Sequence, residues 1–309
     1  MPPERPLAGV TDPSTFVYVT AAGLPELSHI EVRSAETGAL LKDFGQVGMN
    51  LTSNGLAFSP DGRYIYITVV AHDSIDVEQI AVADGAVTFI ANGAQPSISP
   101  SGRYLAYVSG WGDSDVLVVR DLDTGALTSI KLEKLLGQRT ELLGASITWL
   151  GDESSIVLLP AGVGNDLMST TTLPSLPGSC SSVPISDTCL ILVNFGANRR
   201  LSAERIVLNG VRAPLVMSGD AWSHSLVFAS EVSNETVIYR VELYKSRVSL
   251  FREAALRAHL PLVFDPRGTE LLYLVGHNPI ALWSTQVGLH RLGHAHELIA
   301  DSDLGNEAW

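Results

Sequence analysis

The stretch Gly55–Thr68, GLAFSPDGRYIYIT, decides the reading of this chain, because Gln95–Ser109, QPSISPSGRYLAYVS, repeats it forty residues later. In each copy a short apolar strand meets a turn and a second strand follows, rich in aromatic and aliphatic residues. Asp61–Gly62 between two β-rich runs is a hairpin signal, since glycine takes the positive φ that such turns need. The same turn recurs at Ser101–Gly102, Gly151–Asp152, Ala221 to His224 and Arg267–Gly268, and a degenerate copy, LAGVTDPSTFVYVT, spans Leu7 to Thr20.

A second turn follows each of these. It is clear at Thr37–Gly38, Asp84–Gly85 and Thr124–Gly125, and weaker near Asn198, Ser246 and Gly288. Gly38 to Gly288 is 250 positions in five steps, a mean of 50 per unit. Each unit reads strand, turn, strand, loop, strand, turn, strand. A four-stranded meander with two apolar faces cannot bury both alone, and radial packing of such units solves this. The fold expected is all-β, a six-bladed β-propeller of four-stranded antiparallel blades, with seven blades if the fourth unit hides another. A β-sandwich would not need one phrase at a fixed period. The apolar runs YIYITVV, YLAYVS, SIVLLP, SLVFAS and ELLYLVG are placed as second strands, buried on both faces. Ile65 and Ile67 are expected to be buried and Gly62 to sit at a turn.

Residues 1–309 are read as a single domain, with residues 161–188 as a long loop insertion in the fourth blade. LEKLLGQRTELLG, Leu132 to Gly144, is the best helical stretch and is expected on the ring's surface. The C-terminal HELIADSDLGNEAW is a candidate to complete the first blade.

The phrases LAFSPDGRYIYIT and PSISPSGRYLAYVS resemble the repeat of the TolB-like propellers, also called WD40-like or PD40 repeats. VRSAETGALL and VRDLDTGALT resemble the third-to-fourth-strand hairpin of the lactonase-like and cytochrome-d1-like propellers. The resemblance spans essentially the whole chain and is sharpest from Leu56 to Leu132. It implies a fold that serves variously as an interaction module, a peptidase lid or a sensor domain.

The net charge of −13 and the lack of a Lys/Arg cluster denser than NRR (Asn198–Arg200) speak against a nucleic-acid partner. No apolar run approaches the ~20 residues that span a bilayer, so no direct membrane insertion is expected. MPPERPLAGV lacks the pattern of a secretory signal. The two cysteines point the other way. Cys180 and Cys189 lie nine apart in a Pro/Ser/Gly-rich loop, where they either close as a disulfide or stay as two thiols. The disulfide is the reading taken, and it would place the domain outside the cytoplasm, periplasmic or at the cell surface. It would restrain the loop rather than the core. Lysine only at 42, 131, 134 and 245, with Ala/Gly/Leu richness, resembles the composition of a high-GC bacterium.

Chemistry is sparse. His294 and His296, with Glu297 and His290, could share a strand face as a metal pair does, or form a polar C-terminal strand. Asp73, Asn165, Asp166, Glu231 and Asn278 follow second strands and could form a polar ring at the channel. His72 and His277 lie beside two of them, and His224 sits in a first turn. No nucleophile elbow, Walker or dinucleotide glycine pattern is present. No catalytic, cofactor or metal residue is therefore assigned, and Cys180 and Cys189 are the only residues singled out. The expected function is a non-catalytic binding or sensing propeller, monomeric, part of a larger or membrane-tethered bacterial protein, with a protein or small ligand as partner. The alternative is a metal-dependent lactonase-type hydrolase with its site in the central channel.

Overall fold

A computed structural model describes residues 15–21, 28–34, 39–47, 55–70, 74–109, 116–136, 141–151, 153–161, 180–184, 187–195, 200–211, 216–219, 225–232, 235–244, 247–257, 259–264, 270–275, 280–284, 296–299 and 307–308.

These residues form six four-stranded antiparallel sheets. The first contains β1 (Thr15–Ala21), β2 (Ser28–Ser34) and β3 (Leu40–Val47). The second contains β4 (Leu56–Phe58), β5 (Tyr64–Val70), β6 (Ile75–Ala81) and β7 (Val87–Asn92). In the third are β8 (Ala94–Ile98), β9 (Tyr104–Ser109), β10 (Val116–Asp121) and β11 (Leu127–Lys131). The helix α1 (Glu133–Leu136) precedes the fourth sheet: β12 (Glu141–Trp149), β13 (Ser155–Ala161), β14 (Thr188–Phe195) and β15 (Leu201–Leu208). The fifth holds β16 (Val216–Gly219), β17 (Ser225–Val232), β18 (Glu235–Tyr244) and β19 (Arg247–Arg257). The sixth holds β20 (His259–Phe264), β21 (Glu270–Val275), β22 (Ile280–Ser284) and β23 (His296–Ile299).

The C-terminal β24 (Glu307–Ala308) pairs with β1 and completes the first sheet. The first strands of consecutive sheets, β4, β8, β12, β16 and β20, are neighbours in turn, and β24 lies between β20 and β4. The innermost strands thus run round a closed circuit. The C-terminal stretch expected to complete the first blade is divided between two sheets. HELI is the outer strand of the last and Glu307–Ala308 the inner strand of the first.

Among the described residues, the second strands β5, β9, β13 and β17 are buried on both faces, as their continuous apolar runs require. Ile65 and Ile67 are fully buried against Ile30 and Val32 of the first sheet, while Tyr66 packs on Leu105 and Tyr107 of the third. In β13, Ile156 and Leu158 face the third sheet and Val157 the fifth.

Polar stitches supplement this packing where inner backbones cannot pair across the gaps between sheets. Gln95 N donates to Thr68 Oγ1 (2.9 Å), Trp149 Nε1 to Ser97 O (3.0 Å), and Gly219 N to Thr148 Oγ1 (3.1 Å). Farther out, Arg120 donates to Ile90 O, and Lys42 to the carbonyls of Val82 and Ala83. The bonds to Gln95 N and Ser97 O satisfy backbone groups that burial would otherwise leave costly.

Two expectations need correction. Among the described residues of the Leu132–Gly144 stretch only Glu133–Leu136 is helical, and Glu141–Trp149 is the inner strand of the fourth sheet. The helical turn lies only partly at the surface: Glu133 and Lys134 are exposed, while Leu136, with Leu132 just before it, is buried in the core between the third and fourth sheets. The leucine spacing fits a helix or a strand alike, and the need for an inner strand decides it.

Candidate functional site

The repeated phrase could be a site or a scaffold, and its hydrogen bonds decide. Ser59 N donates to Tyr64 O (2.9 Å) and Gly62 N to Ser59 O (2.8 Å), with Gly62 at φ +70°. The loop is thus longer than a two-residue hairpin and ends in a left-handed glycine. Ser59 Oγ accepts from Tyr64 N and donates to Asp61 Oδ1 (2.7 Å), and Asp61 Oδ1 also accepts from Arg63 N. In the second copy Ser99 Oγ accepts from Tyr104 N, and Ser101 Oγ does the work of Asp61 by accepting from Arg103 N. The phrase's arginine carbonyls accept from Val82 N and Leu122 N, tying the first hairpin to the second within each sheet. Tyr104 packs edge-on against Phe195 and stacks near Trp149. Every distinctive residue of the phrase is engaged in holding a turn or filling a core. Tyr66 belongs here too: burial pushes its phenol up to about 12 against the hydrogen bond from Gln79, so it stays neutral.

Arg103 reaches Asp121 (3.0 Å) at the second turn, where Asp121 Oδ1 also accepts from the backbone of Asp123 and Thr124. Burial pushes the Asp121 carboxyl up, but the Arg103 hydrogen bond, the Thr124 N–H and the guanidinium charge outweigh it, and the group sits below its ordinary value. A depressed carboxyl stabilises the fold fully above its unfolded pKa, ~3.9, and loses that contribution as pH falls through the folded value. The urea midpoint of the wild type should therefore fall as pH drops below about 4. Asp121→Asn should start lower at neutral pH and fall less steeply, the two curves converging in acid. Parallel curves would contradict this role.

Antiparallel alternation puts both sets of repeated turns at one end of the ring. The second-to-third-strand connections and the crossings between sheets lie at the other. The end of β13 and the start of β14 lie at this second end, and the return into β14 is built into the core. A disulfide joins Cys180, in a single 3-10 turn, to Cys189 of β14, with Cα atoms 5.5 Å apart. Both cysteines are fully buried in one cluster with Leu132, Leu136, Ile156 and Ile191. The bond therefore anchors the core between the third and fourth sheets, not a loop alone. Beside it, Thr188 Oγ1 donates to Val211 O (2.8 Å) and Asp187 accepts from Gly210 N (2.9 Å), clamping the return into β14.

The other sequence candidates are distributed differently. Glu231 lies within β17, opposite Thr236, rather than after the strand. His296 and Glu297 stand on the outer strand β23, opposite Leu282 and Ala281, away from the innermost circuit. His72, Asp73, Asn165, Asp166, His224, His277, Asn278, His290 and His294 lie outside the described residues. Among the described residues, no three His, Cys, Asp or Glu side chains converge on a possible cation position.

No protein-family model matches the chain. No curated protein matches it either. Solved structures do. The chain is similar to TolB from Acinetobacter baumannii, at 15% identity and a TM-score of 0.62, over 96% of this chain and 66% of that one. It is also similar to a protein described as TolB from Agrobacterium tumefaciens, at 13% identity and a TM-score of 0.53, over 93% of this chain and 88% of that one. A protein from Bacteroides fragilis described as a 6-phosphogluconolactonase matches at 12% identity and a TM-score of 0.50, over 94% and 96% of the two chains. The resemblance to TolB-like propellers is thus borne out for the fold. Proteins with such different names share it, so the likeness carries architecture and not activity.

Proposed function

We propose that this propeller is a non-catalytic binding module that works outside the cytoplasm and meets its partner at the end bearing the second-to-third-strand connections. The buried Cys180–Cys189 disulfide at the root of the 162–179 segment carries this reading. A buried disulfide is a device of oxidising compartments, which supports the location. It sits where the chain departs furthest from its repeat, and a loop on a rigid root loses less freedom on binding than one on a loose root. The engagement of the repeated residues in turns and cores supports a scaffold role for the remainder.

The test replaces residues 163–178 with a short Gly/Ser linker, keeping both cysteines. Proximity labelling in the native host should lose its main labelled partner while the purified variant melts like the wild type. An unchanged labelling pattern would overturn the reading. So would calcium-dependent turnover of any lactone by the purified wild type.

A further inference from the structure

Two single turns meet where the chain returns into β14. α1 is one turn, in which Leu135 N and Leu136 N both donate to Leu132 O. Cys180–Ser182 is one 3-10 turn, after which Val183 N donates to Cys180 O. Turns this short have no helical stability of their own, because nucleation costs more than one or two hydrogen bonds return. Each persists through what it packs on, and the two lie against each other. Leu132, Leu136 and Cys180 are buried in one cluster, with Leu135 and Val183 half-buried beside it.

The rest of that cluster belongs to the sheets. Leu117 and Val119 come from β10, Ile156 and Leu158 from β13, and Ile191 and Val193 from β14. These strands are held by their own ladders, which involve neither turn. The covalent tie between turns and sheets is the Cys180–Cys189 bond, since Cys189 stands on β14 opposite Val207. The chain has no other cysteine, so no other internal disulfide can form. With the turns docked, both sulfurs are fully buried in one cluster with Leu132 and Leu136. Thiol–disulfide exchange needs an accessible sulfur, so the bond must close before docking is complete.

We infer that closing the Cys180–Cys189 bond is a one-way maturation switch for the binding end: the dithiol chain builds its six sheets but leaves residues 132–136 and 180–184 undocked. The oxidant is a small-molecule disulfide of the glutathione class. One cysteine thiolate attacks it and expels one thiolate, leaving a mixed disulfide. The other cysteine thiolate then attacks the first cysteine's sulfur and expels the second. The two cysteine thiols lose two electrons and two protons, and the small disulfide gains both to become two thiols. Docking then shields the product from reductants. This inference rests on the binding reading above and gives it a regulation. A chain held in a reducing compartment has its scaffold but not its binding end.

The test refolds the full chain from urea, once with dithiothreitol kept throughout and once in oxidised and reduced glutathione. Hydrogen exchange is then followed by mass spectrometry. The Leu135 and Leu136 amides should exchange at least about 100-fold faster in the dithiol form, while amides of β5 and β9 stay within about threefold. Oxidised glutathione added to the folded dithiol form should restore slow exchange, and dithiothreitol added afterwards without urea should not undo it. Cys180→Ala with Cys189→Ala should keep the fast exchange in both buffers and lose the main labelled partner in the native host. Equal protection of Leu135 and Leu136 in the two forms would overturn the inference, because the turns would then dock without the bond. Loss of protection in β5 and β9 of the dithiol form would overturn it as well, since the sheets themselves would need the bond. So would retention of the main partner by the double-alanine variant. An unchanged labelling pattern in the 163–178 linker variant, beside the expected exchange, would overturn the binding reading and leave the docking switch standing.

Discussion

Gly219→Ala should be among the most destabilising single substitutions in this chain, lowering stability by about 3 kcal/mol or more in urea unfolding. Gly219 ends the inner strand β16, and a Cβ there would lie 1.9 Å from the carbonyl oxygen of Trp149 on β12. The obstacle is backbone, so no side chain can rotate away. Relief requires the fourth and fifth sheets to separate, which also strains the hydrogen bond from Gly219 N to Thr148. Gly125 makes the contrast. Nothing lies within 4 Å of its added Cβ, and only its φ of +72° resists substitution. Gly125→Ala should cost about 1 kcal/mol. Equal costs at the two positions would show that the inner strands do not approach as closely as described.

Removing the disulfide should come next in effect. Closing a ten-residue loop restricts the unfolded chain by about 2.5–3 kcal/mol on the chain-entropy account, and Cys180→Ala with Cys189→Ala forfeits core packing as well. For a chain of this size that is a fall of about 4–5 °C in melting temperature. Because both sulfurs are buried, dithiothreitol should leave the native protein unreduced until it unfolds. Rapid reduction of the folded protein would contradict a core position for the bond.

How much of this was legible follows from which interactions are local. SPDG and TG turns are local chemistry, set by Ser, Pro, Asp and Gly at fixed offsets, and they recur often enough to reveal the meander. The apolar second strands were equally plain, because burial on both faces leaves a continuous run. Pairing of Cys180 with Cys189 was readable from spacing, but their burial was not: Pro, Ser and Gly suggested a loop, and the third sheet that covers them is remote in sequence. The leucines of 132–144 misled for the same reason, since the choice between helix and inner strand lies with the neighbouring sheets. The stitches at Thr68, Ser97 and Thr148 were invisible, each joining residues from different sheets. Gly219 did leave a trace, as an isolated glycine ending a strand suggests a close backbone approach. Asp73 and Asn278 were picked only because each follows a second strand in the sequence, and side-chain convergence cannot be read from that.

The central claim is that the repeat builds the scaffold and that binding belongs to what departs from it. One paired experiment tests it: urea midpoint and native-host proximity labelling, measured on Asp61→Ala and on the 163–178 linker variant. Asp61→Ala removes the acceptor for Ser59 and Arg63, and should lose about 1 kcal/mol of stability while its labelled partners stay the same. The linker variant should keep its stability and lose its main partner. The opposite pattern, with partner loss in Asp61→Ala at unchanged stability, would make the phrase a binding site and contradict the account.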